Sequence, residues 1–143
     1  MSELPTLGLR HVALYVKDPQ VSKEFYCRVL KMQLEWEPDP DNVYLTSQGL
    51  DNLALHSDSQ KVTFLSEPDA PRVLPRLDHI GYILPTMGDV DRWYEWVQSQ
   101  GAKILREIKT HRDGARSFYF SDPDGVIIQM LYHPPISERA SAK

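Results

Sequence analysis

Two histidines occupy matching places in this chain, and imidazoles are among the few side chains that can serve as metal ligands or proton carriers near neutral pH. His11 sits in LRHVALYV and His79 in LDHIGYIL. The single offset that superposes them also carries Val12 onto Ile80, Tyr26 onto Tyr94, Val29 onto Val97, Leu34 onto Ala102 and Trp36 onto Ile104. A spacing held through a strand, a helix and a second strand marks a duplicated unit. Copies related by an approximate two-fold axis can bring equivalent histidines to one point, and paired imidazoles suit borderline divalent metals. The plain alternative for each is a hydrogen-bonded strand residue.

The elements that must position these residues follow from periodicity. Residues 9–16 alternate as a strand, with His11, Ala13 and Tyr15 on one face and Val12, Leu14 and Val16 on the other. Asp18-Pro19 supplies an N-cap and a proline suited to a first helical turn, and Val21, Phe25 and Val29 recur at helical spacing. Strands near 34–37, 43–46 and 50–57 follow. Residues 57–76 hold Pro68, Pro71 and Pro75 and read as a connection, with an extended piece at 62–65. The pattern then returns. Residues 77–84 form a strand, and Thr86 with Asp89 marks a capping box. Val90, Trp93 and Val97 give a helix face that ends at Gly101, and strands follow at 103–110, 117–120 and 126–132. The pairs Phe25/Tyr26 and Trp93/Tyr94 read as helix-to-sheet packing.

The order is βαβββ, connection, βαβββ. The expected fold class is α+β: two βαβββ modules forming a curved, partly open mixed β-sheet barrel with helices outside. The modules span 7–56 and 77–132, joined by 57–76 and followed by a flexible tail at 133–143, and together they make one domain.

That duplicated pattern, a histidine in the first strand of each half and SFYFSDPDGVIIQM near the end resemble the vicinal oxygen chelate superfamily. It includes glyoxalase I, extradiol ring-cleavage dioxygenases, methylmalonyl-CoA epimerase, fosfomycin-resistance enzymes and bleomycin-resistance proteins. The resemblance covers roughly residues 7–132 and implies metal ligation by His11 and His79. The family pattern DPDGxxxE puts a carboxylate ligand where this chain has Gln129. The corresponding position of the first half is Ala54, with His56 two residues on as a further candidate ligand or a rim residue. His111, Tyr119, the turn at Asp122–Gly125 and Gln129 also follow the order of the extradiol dioxygenase signature, although Lys109 and Gln129 depart from it. By that resemblance His111 and Tyr119 donate hydrogen bonds to substrate or oxygen; otherwise they are a surface residue and strand filling.

The implied cofactor is a divalent metal: Fe(II), Mn, Zn or Ni. The implied function is a metal-dependent enzyme acting on a small molecule with vicinal oxygens, ring cleavage being the closest motif match. A metal-free sequestration protein of the bleomycin-resistance type is the alternative. A glyoxalase- or epimerase-like lyase or isomerase is disfavoured, because no spare carboxylate stands at the family position to act as base.

Composition narrows the remainder. The chain has 143 residues and a formal net charge of −4, with no basic stripe to suggest nucleic acid. No apolar run approaches membrane-spanning length. One cysteine, Cys27, excludes an intramolecular disulfide and points to a reducing cytoplasm. No Gly-rich phosphate loop or nucleophile elbow is present. A small-molecule substrate and a homodimer, which would hide sheet edges and the aromatics Trp36 and Trp96, are the expected partners.

Overall fold

The computed structural model describes residues 7, 9–58 and 77–141, and of 139–141 only the backbone. The expected extended piece at 62–65 lies outside the described residues. The chain divides into two compact units, Met1–Pro71 and Arg72–Lys143.

The first unit comprises β1 (His11–Val16), α1 (Pro19–Val29), β2 (Gln33–Asp39), β3 (Asn42–Thr46) and β4 (Asn52–Ser57). Its sheet order is β1-β4-β3-β2. β1 runs parallel to β4, and the β4–β3 and β3–β2 pairs are antiparallel. A parallel β1–β4 pair requires a long crossover, which α1 begins. Asp18 caps that helix, its carboxylate accepting the Gln20 N–H at 2.9 Å, with Pro19 in the first turn. Alternation sends Leu14, Val16, Val43, Leu45, Leu53 and Leu55 into the core, where they meet Phe25, Tyr26 and Val29 of α1. Full burial of each such side chain contributes about 1.5–3 kcal/mol. The helix stripe differs from expectation at one point: Val21 is exposed, and Ser22 takes the buried place beside Phe25 and Tyr26.

The second unit repeats this plan. It comprises β5 (Ile80–Ile83), α2 (Met87–Ser99), β6 (Lys103–Thr110), β7 (Arg116–Ser121) and β8 (Ile127–Tyr132), in the order β5-β8-β7-β6. The Thr86–Asp89 capping box is present, and Gly101 follows the helix at φ +78°, a left-handed conformation that glycine adopts without steric cost. A hydrogen bond from Arg92, and others from Thr86, hold the Asp89 carboxyl below its ordinary pKa. Val90 and Val97 are buried, and Tyr94 packs edge-on against Phe118 at 5.1 Å between ring centroids. Two modules of βαβββ order, each a four-stranded mixed sheet with its own helix, are therefore present.

Three expectations are revised. β5 begins at Ile80, so His79 lies just ahead of the strand. The constant offset holds only as far as the helices. α2 has 13 residues against 11 in α1, so the following strands are shifted by the longer helix. Trp36 pairs with Tyr44 as Arg106 pairs with Tyr119, which makes Arg106, and not Ile104, the counterpart of Trp36. Finally, Pro134–Ser141, expected to fray, forms α3. The fully buried Ser137 explains this: its hydroxyl accepts the His133 N–H at 3.0 Å.

The turn before β8 is held from inside. The buried Asp122 carboxylate accepts the N–H groups of Asp124 and Val126, each at 2.8 Å. Gly125 closes the turn at φ +85°. Asp122→Ala removes both of these hydrogen bonds and should lower stability by about 1–2 kcal/mol, measurable by urea denaturation. A change under a few tenths of a kcal/mol would show that water replaces the carboxylate.

Candidate functional site

Each sheet buries one face under its helix, which leaves the opposite face to carry polar chemistry. In the first unit that face starts at His11, whose Nδ1 lies 2.7 Å from Asn52 Oδ1, its register partner on β4. Ala13 pairs with Ala54, and Tyr15 with His56. His56 Nδ1 lies 2.7 Å from Asn42 Oδ1, and its ring stands edge-on to Tyr44 at 5.7 Å and tilted to Tyr15 at 6.3 Å. Tyr44 in turn stacks on Trp36 at 5.1 Å and 25°. Trp36 remains 59% exposed. Glu37, the next residue, turns the other way and takes Lys23 of α1 at 2.7 Å, an ion pair that pulls its carboxyl below the ordinary range.

In the second unit Gly81 pairs with Gln129, the same register that joins Ala13 to Ala54. Ala54 is thus the true counterpart of Gln129. Gln129 is 9% exposed as a residue, and its carboxamide lies beside Gly81, where an added Cβ would meet Oε1 at 3.8 Å. Tyr119 pairs with Gln129 from β7, and the His79 ring stands edge-on to Tyr119 at 5.4 Å. His79 Nδ1 lies 2.6 Å from the exposed Asp78 carboxylate. The Arg106 guanidinium carbon lies 5.9 Å from the centre of the Tyr119 ring.

The two faces share a detail that no linear alignment exposes. Each edge strand shifts register twice, between Leu34/Trp36 and Trp36/Asp39 in β2, and between Ile104/Arg106 and Arg106/Lys109 in β6. Such irregularities re-aim a side chain. Both units use them to lay a flat group on a tyrosine: indole on Tyr44, guanidinium near Tyr119. Reading the repeat backwards from Ala54 and Gln129 would have found the tyrosine pair, because both modules then put Tyr on the neighbouring strand.

The second unit thus brings His79, Tyr119 and Gln129 together. His111 is elsewhere. It is exposed at the β6–β7 hairpin, its backbone N–H bonded to the Ala115 carbonyl at 2.7 Å. There it borders an open cavity of about 500 Å³ with Lys109, Thr110, Arg112 and Asp113. No ring contact or hydrogen bond links it to Tyr119 among the described residues. Burial raises the pKa of the Cys27 thiol, which disfavours the thiolate.

Taken alone, the second unit offers too few donors for a divalent cation: one imidazole, His79, and the neutral carboxamide of Gln129, while the first unit has Ala54 at the equivalent place. Among the described residues no three His, Cys, Asp or Glu groups gather as a metal would need. Losing one carboxylate a few Å from a dication costs several kcal/mol even at an effective dielectric of about 20.

The chain is 31% identical over 128 residues to the phenazine antibiotic resistance protein EhpR of Enterobacter agglomerans, covering 88% of this chain and 92% of that one. It is 29% identical over 120 residues to the metallothiol transferase FosB of Staphylococcus saprophyticus, covering 82% and 72%. Among solved structures, a lactoylglutathione lyase from Agrobacterium tumefaciens superposes with a TM-score of 0.74 at 17% identity, over 93% of this chain and 98% of that one, a likeness of fold alone. The family model for the Glyoxalase/Bleomycin resistance protein/Dioxygenase superfamily matches residues 8–130, and this chain belongs to that superfamily.

Proposed function

We propose that this protein binds a planar aromatic small molecule and sequesters it, without metal-dependent turnover. The observation that carries this reading is the half-exposed aromatic face of Trp36, Tyr44, His56 and Tyr15. Stacked aromatics that remain exposed offer π-faces to a flat ligand, and such pairs contribute about 0.5–1.5 kcal/mol beyond area burial. Similarity to a phenazine antibiotic resistance protein suggests a fused heteroaromatic as the ligand class. The neutral side chain at Gln129 favours binding over Lewis-acid chemistry. In the metal-dependent alternative His11, His79 and Gln129, with His56, hold a divalent ion. The Nδ1 contacts of His11 and His79 support it, since they leave Nε2 as the donor.

Phenazine titrated into the protein should quench tryptophan fluorescence to saturation, with the same affinity in the presence of a chelator. Trp36→Ala should weaken that binding by at least about tenfold, or 1.4 kcal/mol. Loss of binding on chelation, or dioxygen uptake with a catechol by Fe(II)-loaded protein, would overturn the sequestration reading.

Gln129→Glu places an anion beside His79 and should raise affinity for Zn²⁺ at least about tenfold in a chelator competition. Unchanged affinity would remove Gln129 from any metal site.

A homodimer accompanies this proposal, because each unit's sheet ends in edge strands that a second copy could cover. Light scattering at micromolar concentration should give twice the monomer mass; a monomer counts against it.

A further inference from the structure

His56 stands at the end of a hydrogen-bond chain that lies wholly within the first unit. The Asp39 carboxylate accepts the Asp41 N–H at 2.9 Å and the Asn42 side-chain NH2 at 3.0 and 3.1 Å. An ionised carboxylate only accepts, so the Asn42 amide must turn its NH2 to Asp39 and its Oδ1 to His56. That oxygen lies 2.7 Å from His56 Nδ1 and also only accepts, so Nδ1 carries the proton. In the neutral imidazole Nε2 is then a bare acceptor. It has no hydrogen-bond partner among the described residues, and the side chain is half-buried, not sealed.

The frame does not need this chain. By the registers that equate Ala54 with Gln129, the second unit has Leu131 in the place of His56 and Ser117 in that of Asn42. Lys109 pairs with Ser117 as Asp39 pairs with Asn42. Its strands lie in the same order with no such relay. The Asp39–Asn42–His56 chain is thus an addition to a sheet that forms without it, and it ends inside the aromatic patch. The His56 ring stands edge-on to Tyr44 at 5.7 Å, and Tyr44 stacks on the exposed Trp36.

We infer that His56 Nε2 accepts a hydrogen bond from the ligand, so that the aromatic face of the first unit selects planar heteroaromatics with an N–H or O–H donor at the ring edge. Asn42 and Asp39 are positioning residues that hold the tautomer. A fixed acceptor discriminates against an isostere lacking the donor, because that ligand displaces water from Nε2 and puts nothing in its place. This inference rests on the sequestration reading and narrows its ligand class.

The test uses the full chain with 2-aminophenazine and 2-methylphenazine, probes of one shape of which the first alone carries a donor. The wild-type protein should bind the amine at least about fivefold more tightly. His56→Phe keeps a flat ring beside Tyr44 and removes the acceptor, and should bring that ratio to about twofold or below. Nitrogen NMR of the ligand-free wild-type protein should show the neutral His56 ring protonated at Nδ1. In Asn42→Leu that proton should shift toward Nε2 and the ratio should fall with it, a signature that a merely structural role would not move. A wild-type ring protonated at Nε2, equal binding of the two probes, or a ratio that survives His56→Phe overturns the acceptor assignment while the sequestration reading stands. An unchanged tautomer and ratio in Asn42→Leu overturn the positioning role. Binding of neither probe overturns both readings.

Discussion

The register between the first and last strand of each module is the constraint from which the site descends. A parallel pair fixes Ala13 opposite Ala54 and Gly81 opposite Gln129. A one-residue slip would turn every side chain to the wrong side. The slip is prevented by burial, because Leu53, Leu55, Ile128 and Met130 must all lie under their helices. The polar face is therefore defined by what the apolar face requires. His56, Tyr119 and Gln129 project where they do because their neighbours one residue away are committed to the core.

Much of this was legible in the chain. The alternation in LRHVALYV, the Asp18-Pro19 start and the Thr86–Asp89 box are local signals with local causes, and each appears in the structure at those residues. Equivalence of Ala54 with Gln129 could be reached by aligning terminal strands. What the sequence concealed lay in the edge strands. Irregular pairing in β2 and β6 breaks strict alternation, so periodicity gives no warning that Trp36 and Arg106 occupy one place. The two extra residues of α2 hid it further. The orphan hydroxyl of Ser117 was equally invisible, since satisfaction of a buried donor depends on atoms from other strands. The helix at Pro134–Ser141 was missed because its composition is small and polar, and the burial of Ser137 against its own helix start is not visible in periodicity.

Where the family pattern carries a carboxylate, this chain has the neutral Gln129. Membership of the superfamily carries several reaction types and binding functions, so the fold decides little between them. The side chains at the registered positions decide more. In the first unit Trp36 and Tyr44 present a stacked aromatic surface, and in the second Arg106 lies near Tyr119, which pairs with the neutral Gln129.

The alternation of each strand separates folding from recognition at the spacing of a single residue. Phe118 and Phe120 hold the second module together while Ser117 and Tyr119, interleaved with them, face the other way. Tyr119, only half-buried, can change with less effect on packing than Phe118 or Phe120. A lineage carrying this frame can therefore drift across ligands of different charge and size without passing through unstable intermediates, and the duplicated halves can specialise independently, each exploring its own surface while the core stays conserved in kind.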